Sequence, residues 1–149
     1  LGIVVNRLSQ YTLGEVLEQM NISTSVPGLA DAPVYAGGPV QMDRGFVVHE
    51  PCAGFDSTFR VSDEVCVTTS RDVLAAMAQG RGPQRALVAL GYAGWGAGQL
   101  EDEIKQNSWL SVPASPSILF STPLEARWTS AAMLAGVDMR LLTDYAGHA

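Results

Sequence analysis

The sequence RALVALGYAGWGAG occupies residues 85–98 and joins an apolar run to a turn that contains four glycines within eight residues. The apolar run has the character of a strand that is covered on both faces of a sheet. Glycines let the turn backbone adopt positive φ angles and approach other groups closely, and Trp95 adds a large rigid face for packing or binding. Residues 99–107 then show helical spacing, with Leu100 and Ile104 on one side. This stretch therefore predicts a strand, a turn and a helix.

Capping signals predict three further helices around this stretch. Residues 12–15 (TLGE) and 122–125 (TPLE) both match the capping box, in which a Thr and a Glu three positions later satisfy backbone groups at a helix start. The first box predicts a helix through Met20, and the second, with Pro123 at the favoured first position, predicts the last long helix. Ser70 is predicted to cap the third helix with its side chain.

Short runs rich in β-branched and aromatic residues predict the remaining strands. These runs cover residues 1–5, 45–50, 57–62 and 65–69. Asp63 and Glu64 separate the last two runs as a hairpin turn, and residues 21–33 are predicted to form a loop. Adjacent strands in the middle of the chain, mixed with helices, indicate an α+β fold with a mixed β-sheet.

Composition predicts a folded domain with much buried surface. Hydrophobic residues make up 47% of the 149 residues and charged residues 16%, where about 25% is ordinary. The length suits a single domain over residues 1–149, since domains peak at roughly 100 to 150 residues. The chain opens inside a strand pattern without a methionine, so we expect that residues precede Leu1. No run approaches the ~20 apolar residues of a transmembrane helix, so we expect no membrane partner.

Charge and cysteine usage restrict the partners and the compartment. The formal net charge is −6, and the basic side chains are eight arginines and Lys105, so nonspecific binding to nucleic-acid phosphates is disfavoured. Cys52 and Cys66 lie 14 residues apart without the CxxC spacing. Two cysteines are too few for a disulfide-stapled secreted scaffold, so we predict thiols in a reducing cytoplasm.

The glycine turn does not carry the residues of a phosphate-binding loop. A Walker loop ends in Gly-Lys-Ser/Thr, whereas here Gly98 is followed by Gln99 and Leu100. The three acids at residues 101–103 would also repel a phosphate at the start of the following helix. We favour the interpretation that the glycines allow tight packing of helix and sheet around Trp95, with ligand binding as the alternative.

The other candidate residues each have a structural alternative. His49 is a candidate acid or base, but a hydrogen-bonded structural histidine is favoured. His49 and Cys52 are two possible metal ligands where zinc usually takes four, so no metal site is predicted. Arg71, beside the cap residue Ser70, has no evident structural role, and Arg44 has a turn salt bridge with its neighbour as the alternative.

Several motifs in order make the chain resemble the bacterial YqgE/AlgH family. They are residues 37–40 (GGPV), 43–49 (DRGFVVH), 68–74 (TTSRDVL), 89–95 (ALGYAGW), 98–101 (GQLE), 107–110 (NSWL) and 146–149 (AGHA). The resemblance implies a cytoplasmic bacterial protein with one α+β domain, whose sheet curls into a partly closed barrel with flanking helices. It implies no established biochemical activity, although one branch has been proposed as a transcriptional regulator of alginate synthesis. The chain departs from the family by lacking the stretch that normally precedes the first strand.

Two classes of function remain. We favour a noncatalytic binding or interaction protein, with regulation as one role for it. It would bind a small anion or a peptide or protein partner, and we expect no cofactor. The ligand-binding candidates are Gly37, Gly38, Arg44, His49, Arg71, Trp95 and Gln99. The alternatives are an enzyme of unknown substrate that uses His49, and a regulator that binds DNA directly, although no helix-turn-helix has a basic recognition face. No catalytic set is assigned, and the oligomeric state stays open.

Overall fold

The structure, a computed structural model, describes residues 1–52 and 54–136. It divides into two compact units, Leu1–Gly94 and Trp95–Ala149, which are described separately below. The motif at residues 146–149 lies outside the described residues. Whether the two units act as the single predicted domain stays a prediction.

A six-stranded mixed sheet forms the first unit. Its strands are β1 (Leu8–Thr12), β2 (Pro33–Ala36), β3 (Val40–His49), β4 (Thr58–Arg60), β5 (Cys66–Thr68) and β6 (Ala86–Tyr92). Their order across the sheet is β1-β2-β6-β3-β5-β4. The pair β2–β6 is parallel, and the other four pairs are antiparallel. Two helices accompany the sheet, α1 (Leu13–Gln19) and α2 (Arg71–Ala78).

The sheet confirms the mixed α+β prediction but gives no support to a partly closed barrel. Closure would require the two terminal strands, β1 and β4, to exchange backbone hydrogen bonds. In the described part of the chain each of them pairs with a single neighbour, β2 and β5 respectively. The sheet is therefore open, with two edges.

One prediction at the strand level was wrong, and one strand was missed. Residues 1–5 form no regular strand; the segment makes one bridge, in which Gly2 and Ala93 exchange two backbone hydrogen bonds of 2.8 Å. The loop predicted at residues 21–33 ends where β2 begins, and β2 itself was not predicted. A strand of four residues has too few positions for alternation to show, and its extended state comes from pairing with β6.

The core of this unit lies between one face of the sheet and the two helices. Its fully or nearly fully buried members are Leu13, Leu17, Val34, Val47, Val73, Leu74, Ala78 and Val88. Burial of each leucine contributes roughly 1.5–3 kcal/mol. Leu87 and Ala89, on the opposite face of β6, are buried too, so the prediction of a strand covered on both faces is confirmed.

Helix α1 confirms the first capping box. The Thr12 side chain accepts a hydrogen bond from the Glu15 backbone N–H, and the Glu15 carboxylate accepts one from the Thr12 N–H, both at 3.3 Å. The box orients α1 so that Leu13 and Leu17, one turn apart, reach the core.

Within residues 95–136, the second unit contains four short helical segments. They are α3 (Gln99–Lys105), a π-helical turn (Ser117–Ser121), a 3₁₀ turn (Leu124–Ala126) and α4 (Arg127–Leu134). Within the described residues, no helix combines the length and the apolar character needed to cross a membrane.

The second capping box was wrong. Pro123 has ψ of 145°, which is extended rather than helical, and α4 begins at Arg127. The Thr122 hydroxyl donates instead to the Ser117 carbonyl at 3.1 Å, because the preceding π-helical turn places that acceptor within reach.

Candidate functional site

The sequence candidates divide between the two units. Gly37, Gly38, Arg44, His49 and Arg71 lie in the first, whereas Trp95 and Gln99 lie in the second. The contacts of each residue show whether it already packs or hydrogen-bonds within the protein.

Gly37 and Gly38 follow β2 and pack against the backbone at the end of β6. A β-carbon at Gly37 would overlap the Gly91 carbonyl oxygen, and one at Gly38 would overlap the Tyr92 carbonyl group. Gly91 has φ of +81°, and a β-carbon there would overlap the Gly38 carbonyl oxygen. Close packing of main chain against main chain therefore accounts for all three glycines. The two binding candidates among them, Gly37 and Gly38, lie against backbone rather than against open space.

The positive φ angles of the glycine turn lie at its two ends. Gly91 and Gly98 have φ of +81° and +76°, whereas Gly94 and Gly96 inside the turn are not among the positive-φ residues. Gly98 precedes α3 as its N-cap, in the left-handed conformation.

His49 lies at the end of β3 and is 1% exposed. Its Nδ1 is 2.7 Å from the Glu50 carbonyl oxygen, and its Nε2 is 2.7 Å from the Thr68 hydroxyl. Since a carbonyl only accepts, Nδ1 carries the proton, and in the neutral ring Nε2 accepts from Thr68. The Thr68 hydroxyl then receives a hydrogen bond from Thr58, 2.8 Å away on β4.

This chain of hydrogen bonds links three neighbouring strands. The ring of Phe55 packs edge-on against the imidazole, with centroids 5.9 Å apart. The arrangement corresponds to the structural alternative for His49, because both ring nitrogens have partners inside the protein. At the same end of the sheet, Arg85 forms a salt bridge with Glu50 at 2.5 Å.

Arg71, the first residue of α2, has a structural role that the sequence did not indicate. Its Nη2 donates to the carbonyl oxygen of Met20 at 3.0 Å. Met20 is the C-cap of α1, where backbone carbonyls lack intrahelical partners and a cation is favourable. The interpretation of Arg71 as a residue without a structural role was wrong.

Ser70 is the N-cap of α2, as predicted, but its side chain does not cap the helix. Its hydroxyl donates to Asp72 at 2.5 Å and accepts from the Ser57 N–H at 3.1 Å. Asp72 also accepts from the Asp56 N–H at 2.8 Å. Partial burial raises the pKa of Asp72, but the hydrogen bonds from Ser70 and from backbone N–H groups outweigh it, so its pKa lies below its usual value. The pair thus ties the loop before β4 to α2.

Arg44 lies within β3 rather than in a turn. Its guanidinium carbon is 5.4 Å from the centroid of the Phe46 ring, and Nη1 is 3.5 Å from the Gln41 side-chain oxygen. No ion pair between Arg44 and Asp43 occurs among the described residues. The strand sends adjacent side chains to opposite faces, so the turn salt bridge was the wrong alternative.

In the second unit, Gln99 closes the turn that precedes α3. Its side-chain oxygen accepts from the Gly96 N–H at 2.9 Å, and its own N–H donates to the Gly96 carbonyl at 3.0 Å. These two bonds hold the segment immediately after Trp95.

Trp95 and Trp109 form an edge-to-face pair, with centroids 5.8 Å apart and planes at 75°. The indole N–H of Trp109 donates to Glu103 Oε1 at 3.3 Å. The other oxygen, Glu103 Oε2, is buried and has no hydrogen-bond partner. We call this cluster of Trp95, Glu103 and Trp109 the tryptophan corner. Sequence reasoning named only Trp95 as a candidate; an acid six residues before a tryptophan at a helix end was the available signal.

The side chains that could ligate a metal or react as thiols do not cluster in the described part of the chain. Over residues 1–52 and 54–136, no group of three or more His, Cys, Asp or Glu side chains could hold a metal ion. Cys52 is exposed, Cys66 is buried, and no disulfide joins them. Burial and the proximity of Cys66 raise the pKa of the Cys52 thiol, which disfavours a reactive thiolate at neutral pH.

Comparisons with known proteins agree on one family. The model of the AlgH-like family matches residues 1–140. A UPF0301 protein of Xanthomonas campestris pv. campestris strain B100 is 57% identical over 149 residues, which is 100% of this chain and 79% of that protein. A UPF0301 protein of Xanthomonas axonopodis pv. citri strain 306 is 56% identical with the same coverage.

Two solved structures share the fold. The solution structure of the AlgH protein from Pseudomonas aeruginosa aligns with a TM-score of 0.77 at 47% identity, covering 95% of this chain and 75% of that one. A crystal structure of a Corynebacterium diphtheriae protein aligns with a TM-score of 0.64 at 19% identity, covering 86% and 66%, and supports the fold alone. The resemblance read from the sequence motifs is confirmed, and the chain belongs to the AlgH-like family.

Proposed function

We propose that the protein is a noncatalytic binding protein of the bacterial cytoplasm that recognises a peptide segment of a partner protein through the tryptophan corner. The observation that carries the proposal is a large aromatic surface left open in the second unit. Trp109 is 48% exposed and the following Leu110 is 57% exposed. Tryptophan is enriched among residues that dominate binding energy at interfaces.

A peptide fits this chain better than a small anion does. The guanidinium groups of Arg44 and Arg71 already contact Phe46 and the Met20 carbonyl, on separate elements. The main chain of β6 occupies the space beside Gly37 and Gly38, which leaves no room there for a ligand. An anion site would need several donors converging on one point, and these residues supply no such point.

The surroundings of His49 favour binding over catalysis. A general base must come within hydrogen-bond reach of the proton that it abstracts. His49 is 1% exposed and both of its ring nitrogens are engaged, so a substrate would reach it only after neighbouring groups such as Phe55 or Thr68 moved. A regulatory role would then act through a protein partner rather than through chemistry or DNA.

Site-specific photo-crosslinking in the source bacterium tests the proposal. A photoreactive amino acid at Leu110 should yield a discrete crosslinked partner, whereas the same group at Phe59, 66% exposed on β4, should not. A peptide synthesised from the crosslinked region should bind the purified chain in calorimetry, and Trp109→Ala should abolish both signals.

Trp128→Ala is the matched control, because Trp128 is similarly exposed but belongs to α4. It should leave crosslinking and peptide binding unchanged. Crosslinks from Leu110 that survive Trp109→Ala, or no crosslink from Leu110, would contradict the proposed function.

A further inference from the structure

The tryptophan corner combines two indole faces with a carboxylate that lacks one hydrogen bond. We infer that it binds the guanidinium group of an arginine side chain on the partner peptide. The inference rests on the proposed function, since it names the ligand group for the same surface.

The two indoles pack edge to face, so the ring that presents its edge keeps its own faces clear of its partner, and a cation can lie on such a face. Their planes meet at 75°, and the centroids of Trp95 and Trp109 lie 5.8 Å apart. A cation within about 6 Å of an indole centroid is attracted by the negative ring face, and tryptophan is the strongest such partner. Arginine also stacks flat on aromatic rings, which a compact ammonium does not.

Glu103 decides which kind of cation fits. Its Oε1 accepts from Trp109 at 3.3 Å, which holds the indole beside the carboxylate. Its Oε2 is buried and has no hydrogen-bond partner, so it can accept a bond from a donor that reaches it. A guanidinium offers five N–H donors and a full positive charge, and so satisfies this oxygen. A quaternary ammonium has no N–H and would leave the oxygen unpartnered.

The local charge has the matching sign. Glu101 and Asp102 stand exposed on α3 beside Glu103, and residues 95–109 contain one basic side chain, Lys105. The resulting negative potential attracts an arginine and disfavours phosphate or carboxylate ligands.

Entry requires a side-chain movement that exposes the buried Oε2, and the candidate for it is Trp109, which is bonded to the same carboxylate. Half of its surface is already exposed, and it lies just beyond the end of α3, where the Ser108 N–H bonds back to the Glu103 carbonyl at 2.9 Å. Rotation of this indole would also free Oε1, and the guanidinium has enough N–H donors to bond both carboxylate oxygens.

Titration of the full chain with two small amides, followed by NMR of the three indole N–H signals, tests the inference. N-acetylarginine amide should shift the Trp95 and Trp109 signals with saturation, and the Trp128 signal should stay in place. N-acetylcitrulline amide has the same shape without the charge, and N-acetyltrimethyllysine amide has the charge without an N–H on its cationic head. Both should bind at least tenfold more weakly.

Glu103→Gln is the decisive variant, because the amide oxygen can still accept from Trp109 while the charge is removed. It should weaken arginine amide binding at least tenfold, with an unchanged backbone amide spectrum. Glu101→Gln, which removes an exposed charge from the same helix, should change binding less than threefold.

Equal binding of the arginine and citrulline amides, or unchanged binding by Glu103→Gln, would overturn the inference. If that happens while Leu110 crosslinks still depend on Trp109, the proposed function survives and the partner docks through apolar contact. If arginine amide binds as expected but Leu110 yields no crosslink, the proposed function fails and the guanidinium site stands.

Discussion

Gly91→Ala tests whether the close packing of Gly38, just after β2, against Gly91 in β6 stabilises the first unit. Gly91 has φ of +81°, and a β-carbon would overlap the Gly38 carbonyl oxygen. A left-handed conformation costs an alanine roughly 1–2 kcal/mol. The overlap is with main chain that cannot rotate away, so relief requires the ends of β2 and β6 to separate, at roughly 1–3 kcal/mol. The expected total is about 2–5 kcal/mol.

Gly28→Ala is the matched control in the same unit. Gly28 has φ of +78°, and a β-carbon there would meet nothing within 4 Å. The control therefore carries the same backbone strain of roughly 1–2 kcal/mol without the overlap. The gain of about 0.4–1 kcal/mol from the less flexible unfolded chain applies equally to both variants and cancels.

Urea unfolding followed by far-UV circular dichroism measures the difference. Gly91→Ala should be less stable than Gly28→Ala by roughly 1–3 kcal/mol. With slopes of about 1–3 kcal/mol per molar urea, this corresponds to midpoints on the order of 1 M apart. Equal losses in the two variants would refute the close packing of Gly38 against Gly91.

Three further predictions concern the buried network, the loop tie and DNA. Thr68→Val leaves the buried Nε2 of His49 without a partner and should cost about 1–3 kcal/mol in urea unfolding, more than Thr58→Val at the exposed end of the chain of hydrogen bonds; equal costs would contradict this network. Because the folded pKa of Asp72 is lowered, its contribution to stability is present above its ordinary pKa of about 4 and is lost as pH falls below it. The stability gap between the native chain and Asp72→Asn should therefore shrink between pH 7 and pH 3, and a constant gap would argue against the lowered pKa. With a net charge of −6, the purified chain should show no sequence-specific duplex binding at physiological salt, and nanomolar, competitor-resistant binding in a gel shift would disprove this.

Features that depend on neighbouring residues were predictable from the sequence. The capping box of α1 forms within four consecutive residues. The apolar composition of β6 was enough to predict that this strand is buried. The hairpin between β4 and β5 is likewise local, because its turn separates the strands by a few residues. The order of motifs also identified the family without reference to any contact.

The same local pattern failed at residues 122–125, where a carbonyl five residues earlier competed for the threonine. The box at residues 122–125 has the same spacing as the one in α1, yet Thr122 donates to the carbonyl of Ser117 and the helix starts later. Capping energies are about 1 kcal/mol, so one alternative hydrogen bond suffices to displace them.

The roles of the candidate site residues depended on the tertiary structure. Arg71 bonds to a carbonyl 51 residues away, and His49 bonds to a hydroxyl 19 residues away. Residue types at these positions indicated donors and acceptors but not their partners, because the packing of distant segments decides which groups come within hydrogen-bond distance. The sequence by itself determined the family, the α+β class and the local helix and strand signals, whose energies come from adjacent residues. The tertiary structure alone decided the open sheet, the close packing of Gly38 against Gly91 and the unsatisfied oxygen of Glu103, since each depends on groups brought together when the chain folds.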